Sequence, residues 1–204
     1  MNKTLKPAAG RPREFDEAKA LQDIRGVFWT KGYEGTSLSD LVEATGVRRA
    51  SLYKAFGNKK QMYLRALELY EREAIDDVCR ALLDPGDPLQ KLDWFLSLPG
   101  QARWHDHDDR GCFLCNATAD QAAFDDDIKR RVREGQAKLA HALEQTLTDI
   151  STTPAAIEPA AQASLLIGVY TGLRILARSG AALDMLDQIR RETLRGIDAA
   201  RPTA

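Results

Sequence analysis

Thr36–Lys59 reads TSLSDLVEATGVRRASLYKAFGNK, and its punctuation divides it into two short helices around a tight turn. Ser37 suits the cap of the first helix, because its hydroxyl can accept a backbone N–H that the first turn leaves unpaired. Leu38, Leu41 and Val42 then fall on one face. Gly46 follows Thr45 where that helix must stop, since glycine takes the left-handed conformation at little cost. Val47 turns inward, and a second helix begins among Arg48, Arg49, Ala50 and Ser51. Leu52 and Phe56, four apart, form its buried side, and Arg48, Arg49, Tyr53 and Lys54 remain outside. A short helix, a glycine turn and a cationic second helix make a helix-turn-helix unit, whose second helix is shaped for the major groove of DNA.

On the N-terminal side, Phe15, Ala18, Leu21, Ile24 and Phe28 recur at helical spacing, and Gly32 ends that pattern. On the C-terminal side, Asn58 caps a fourth helix expected from about Lys59 to Leu83, with Met62, Leu64, Leu67, Tyr70, Ile75 and Val78 apolar. These residues also carry a resemblance. Gly46-Val47, Ser51-Leu52-Tyr53, Phe56 and Asn58-Lys59-Lys60, preceded by Phe28, Gly32-Tyr33 and Thr36-Ser37, resemble the N-terminal signature of TetR/AcrR-type transcriptional regulators over roughly residues 15–64. The chain departs from that pattern at Gly57 and in Arg48-Arg49. The resemblance implies an all-α fold of about nine helices, with a three-helix DNA-binding head and a helical body that binds a ligand and dimerises. It also implies repression from a palindromic operator, bound by a homodimer and released by a small molecule.

The charge distribution agrees with a DNA-binding head. The 204 residues carry 29 Lys+Arg and 30 Asp+Glu, a net −1. Residues 1–60 hold 12 basic against 7 acidic residues, net +5, and residues 61–204 hold 17 against 23, net −6. Phosphate attraction is thus concentrated where the helix-turn-helix lies. The expected division is a basic arm at 1–13, the helix-turn-helix domain at 14–60 and an effector-binding and dimerisation domain at 61–204. Within the head, Arg48 and Arg49 are candidates for base edges, and Lys54 for bases or phosphate. Ala50 is small enough to lie against a thymine methyl. The resemblance makes Tyr53 a phosphate donor, and the hydroxyls of Thr36, Ser37 and Ser51 are further candidates. Lys59 sits at a helix N-terminus, where free N–H groups also favour phosphate.

Beyond the head, Asp84-Pro85-Gly86 stops the fourth helix and Asp87-Pro88 starts another, expected to end near Pro99-Gly100. Gln101–Arg110 reads as irregular, Gly111–Ala123 as helical, and Asp125-Asp126-Asp127 as the acidic start of a helix reaching about Ile150. Ser151–Pro154 reads as a loop. The last two helices are expected at about 157–179 and 181–198. The first of them is small-sided and apolar nearly all round, so it must be covered on several sides, and the resemblance assigns the pair to a two-fold dimer interface. No segment is read as the ~20 apolar residues that cross a bilayer. The N-terminus lacks an apolar signal region, and three cysteines do not suggest a disulfide framework, so a cytoplasmic protein with no membrane partner is expected.

Trp94, Phe95, Trp104, Phe113, Phe124 and Tyr170 read first as core, and their grouping also allows a partly aromatic effector cavity. Arg110-Gly111-Cys112-Phe113-Leu114-Cys115-Asn116 is the sharper feature. A helix starting near Gly111 would turn its positive end on Cys112 and favour thiolate, with Arg110 adding to it. The alternative is that Cys112 and Cys115 are small buried hydrophobes. His105 and His107 make an H-x-H-x4-C-x2-C set whose spacing matches no closed zinc site, so neither metal nor cofactor is expected. Two other functions stay open: a thiol-based redox protein using Cys112 and Cys115, and a helical protein-binding adaptor. No strand pattern, phosphate loop or serine elbow supports an enzyme.

Overall fold

The computed structural model describes residues 15–105, 108, 110–150 and 158–199, with the backbone alone described at 102–105. Every regular element among these residues is helical: α1 (Glu17–Lys31), α2 (Leu38–Thr45), α3 (Arg49–Phe56), α4 (Lys59–Tyr70), a π-helical turn (Glu71–Ile75), α5 (Asp76–Leu83), α6 (Pro88–His105), α7 (Phe113–Asp120), α8 (Asp126–Thr148), α9 (Pro159–Arg178) and α10 (Leu183–Ala199). Since α4, the π turn and α5 are consecutive, they make one rod, and the described chain has nine helices.

The caps expected at Ser37 and Asn58 are in place, and α1 has one of its own. Asp16 accepts from the amides of Ala18 and Lys19 at 2.9 and 3.1 Å, and opens α1. Ser37 and Asp40 form a reciprocal capping box at α2, as Asn58 and Gln61 do at α4. Gly46 ends α2 at φ +65°, a left-handed conformation that a Cβ would strain. Asp125 caps α8 through the amides of Asp127 and Ile128.

Three departures have physical causes. The fourth helix widens into a π turn at Glu71, which is 1% exposed. That carboxylate lies 2.6 Å from the Lys138 ammonium and 3.1 Å from the Arg131 guanidinium, both on α8, so the widened turn coincides with a buried carboxylate held by two more exposed cations. Helix α6 does not end at Pro99-Gly100 but runs on to His105. Pro99 is buried within it, and packing outweighs the missing N–H that makes proline a helix breaker. Finally, Phe124 is no core residue: it is 84% exposed in the turn before α8.

The core has two parts. One joins Ile24, Phe28, Leu41, Leu52 and Phe56 of the head to Tyr63, Leu67 and Tyr70 of α4, then to Phe113, Ala117, Ile128 and Val132. The other lies among α5, α6, α8, α9 and α10. Contrary to expectation, α9 is long and apolar enough to cross a membrane by length and composition. In the fold its Ala163, Leu166, Tyr170, Leu173 and Ala177 are buried, and Leu165 and Ile175 are exposed.

Candidate nucleic-acid interface

Helix α3 turns Leu52 and Phe56 into the core, which leaves Arg48, Arg49, Ala50, Tyr53 and Lys54 facing water. Tyr53 is 42% exposed, with the Arg49 guanidinium 5.7 Å from its ring centroid. Lys59, in the first turn of α4, lies over the Tyr33 ring at 4.5 Å. Ser51 is half-buried.

Two expected phosphate donors need correction. Thr36 is 1% exposed, and its hydroxyl donates to the Gly32 carbonyl at 2.7 Å. Ser37 is exposed, yet its hydroxyl donates to the Asp40 carboxylate at 2.7 Å and accepts the Asp40 amide at 3.1 Å. Both hydroxyls are committed to holding the turn and cap that aim α3.

The head is tied to the body at one end of α7. Asp120 accepts the Tyr33 amide at 2.8 Å, just beyond α1, and Gln121 donates to the Glu34 carboxylate at 3.3 Å. Lys60 bridges Asp125 and Asp127 at 2.8 and 2.7 Å. Its hydrogen bonds to those carboxylates raise its pKa and hold theirs below the usual carboxylate range. The acidic triplet is therefore a helix cap and also a counter-charge for the head. Its second role depends on a contact 67 residues away, between Lys60 and Asp127, which spacing cannot reveal.

The other end of α7 carries the thiols. Cys112 is the N-cap, 2% exposed, and its Sγ accepts the Cys115 amide at 3.5 Å. The hydrogen bond from the Cys115 thiol pulls the Cys112 pKa down to about 6, against the opposing effect of burial; Arg174, the Tyr70 hydroxyl and the Cys115 amide add to the lowering. Cys115 moves up, because its hydrogen bond to Cys112 and its burial favour the thiol. The cation expected beside Cys112 was Arg110, but Arg110 is bidentate on Asp108 and stacked over Trp29 at 4.1 Å. Arg174 of α9 takes that place, hydrogen-bonded to the Tyr170 hydroxyl at 2.6 and 2.9 Å. Neither Arg174 nor Tyr70 stands near the cysteines in sequence, so only the fold identifies them.

The remaining candidates separate. Phe113 packs edge-on against Tyr63 and Tyr70 in the first core. Asn116 donates to the Arg110 carbonyl at 2.8 Å, and Tyr170 stacks on Phe95 at 4.3 Å. Trp94 lies apart from these, in an open groove of about 500 Å³ between α6 and α10, lined also by Asp93, Ser97, Leu186 and Arg190. The single aromatic cavity expected from the sequence is thus divided between two cores and a groove. His107 and the side chains of Trp104 and His105 lie outside the described residues.

An exposed cationic recognition helix, packed with two further helices joined by short loops and connected to a helical body, defines a helix-turn-helix DNA-binding protein. The profile of the family described as bacterial regulatory proteins, tetR family, matches residues 21–66. The HTH-type transcriptional repressor ComR of Escherichia coli K12 is 32% identical over 196 residues, spanning 94% of this chain and 93% of ComR. BdcR, an HTH-type transcriptional repressor of the same organism, is 26% identical, with 87% of this chain and 86% of BdcR covered. Among solved structures, a cysteine mutant of the TetR family regulator CifR, complexed with 26-bp double-strand operator DNA, has a TM-score of 0.81 at 26% identity and covers 95% of this chain and 100% of that one. The chain belongs to the TetR family and is a DNA-binding transcriptional regulator, not an enzyme.

Proposed function

We propose that this protein is a cytoplasmic repressor that binds a palindromic operator as a homodimer and leaves it when its body is modified or occupied. The observation that carries the DNA reading is the α3 surface, where Arg48, Arg49, Ala50, Tyr53 and Lys54 face solvent opposite buried Leu52 and Phe56. Arg48 and Arg49 stand at the N-terminal end of the recognition helix, where base contacts concentrate, and a guanidinium can address guanine O6 and N7 together. Tyr53, Lys54, Lys59 and Ser51 serve the phosphates. Residues 14–60 act as the head and 61–204 as the body, with 1–13 as a basic arm.

Selection from random duplexes tests this reading, with recovery of a palindrome expected. On the recovered duplex, Arg49→Ala weakens specific binding by about 1–3 kcal/mol and leaves non-specific binding nearly unchanged. Lys59→Ala weakens both and lowers the salt slope by about one phosphate contact. Equal losses for Arg49→Ala on operator and random DNA remove it from base readout.

One head addresses only a few base pairs, so selectivity calls for two, in major grooves about one helical turn or more apart. Helices α9 and α10 supply the dimer face. Leu165, Ile175 and Met185 are exposed there, and a methyl group placed on Gly168 or Gly172 would meet nothing within 4 Å beyond its chain neighbours and the backbone of its own helix. Gly168→Glu is therefore expected to leave the fold intact but to yield monomers in sedimentation and at least tenfold weaker operator binding. A Gly168→Glu protein that remains dimeric moves the interface elsewhere.

Release takes one of two routes. A small molecule can occupy the groove beside Trp94, or a reagent can modify the Cys112 thiolate. The second is favoured by Arg174, Tyr70 and the α7 cap around that sulfur. Cys112→Ser separates them, because it abolishes a thiol response and spares release by a non-covalent effector.

A further inference from the structure

We infer that Cys112 and Cys115 are a reversible dithiol pair, with Cys115 closing a disulfide onto Cys112 after a hydroperoxide has oxidised it. The pairing rests on reading Cys112 as the sensor thiol, and adds the oxidant class and the second sulfur.

The geometry is that of two thiols on one helical turn. Cβ atoms three residues apart on a helix lie ~5–6 Å from each other, and a disulfide needs ~3.5–4.5 Å. Cys112 is not helical: at φ −96°, ψ 122° it occupies the extended N-cap position, and its side chain folds back over the first turn to within 3.5 Å of the Cys115 amide. The Cys115 thiol also donates a hydrogen bond to the Cys112 sulfur, so the two sulfurs already face each other across the first turn. The third cysteine, Cys79, is on α5, and burial pushes its thiol up to about 11. It is unsuited to attack a peroxide.

The chemistry balances with hydrogen peroxide as oxidant. The Cys112 thiolate attacks one peroxide oxygen, the O–O bond breaks, and Cys112 becomes a sulfenic acid as the other oxygen leaves as hydroxide. Cys115 gives its proton to that hydroxide, making water, and its sulfur attacks Cys112. The S–S bond forms as the S–O bond breaks, and the departing oxygen takes a proton from solvent to become the second water. The two sulfurs lose two electrons and the peroxide gains them. A sulfenic acid with no resolving thiol proceeds instead to sulfinic acid, which dithiothreitol does not reverse. Oxidation also removes the anion at the head of α7 and the negative charge facing Arg174. The far end of the same helix holds the Tyr33 amide through Asp120.

Peroxide treatment of the full chain, alkylation and tryptic mapping provide the test. Peptide 111–129 holds both sulfurs and neither Cys79 nor a further cleavage site. Expected is an internal loss of two hydrogens in that peptide, with Cys79 still alkylated and nearly full recovery of free thiols in dithiothreitol. Cys115→Ala, treated until Cys112 has been consumed to the same extent as in the unmutated chain, should accumulate sulfinic acid there, and recovery of the Cys112 thiol itself should fall by about tenfold. Cross-linked peptide dimers, sulfinic acid on Cys112 in the unmutated chain, or equal recovery in Cys115→Ala would overturn the pairing. Operator binding is read in parallel on the selected duplex. A disulfide that leaves affinity unchanged keeps the pairing and rejects thiol-driven release. Release on alkylation with no disulfide after peroxide does the reverse.

Discussion

Phe28→Ala is expected to cost about 3–5 kcal/mol of stability, which for a chain of this size lowers the melting temperature by about 10 °C. The ring is 0% exposed and lies edge-on to Tyr63 at 5.0 Å, with Tyr33 stacked beyond at 6.3 Å. Its removal leaves a cavity where α1 meets α4, the contact that holds the helix-turn-helix against the body. Operator binding should fall with the folded fraction of the head. Phe124→Ala is the control. At 84% exposed, its loss should change stability by less than about 0.5 kcal/mol. A Phe28→Ala melting temperature within 2 °C of the parent would mean that the head is not organised around this ring.

Alkylation of Cys112 by iodoacetamide should rise with pH through about 6 and level off above pH 7. An ordinary cysteine instead rises through ~8.5. The cause is the hydrogen bond from Cys115 first, then Arg174 and Tyr70, acting together against burial. Arg174→Met and Tyr70→Phe should each move the midpoint upward, and Cys115→Ala should move it furthest. The stability consequence follows in sign. Because folding depresses the Cys112 pKa, its contribution is full above the ordinary thiol range and lost as pH falls through about 6. Cys115, whose pKa folding raises, contributes fully below that range and loses its contribution progressively as pH climbs from there toward its own raised pKa. A midpoint near 8.5 for the Cys112 reaction would remove the thiolate from the mechanism.

The caps and the recognition helix were legible because each rests on neighbours. Ser37 with Asp40, Asn58 with Gln61, and Gly46 after Thr45 are local contacts, and the alternation of Leu52 and Phe56 with Arg49, Tyr53 and Lys54 follows from 3.6 residues per turn. The errors arose where distant partners intervened. Pro99 remained inside α6 because its side chain is buried, and α4 widened at Glu71 opposite cations on α8. Thr36 and Ser37 look like free hydroxyls in a sequence, but their protons are engaged one turn or less away.

By itself the sequence determined that this chain is all-helical, that residues 36–59 make a helix-turn-helix, and which side chains of its second helix face water. All of these depend on interactions within a turn or two of the chain. Only the tertiary structure decided that Arg174 and Tyr70, not Arg110, surround Cys112. It also placed the thiols and the Asp120 contact with the head at opposite ends of one helix. Those relations join residues tens of positions apart, and their energies exist only after folding has removed the water between them.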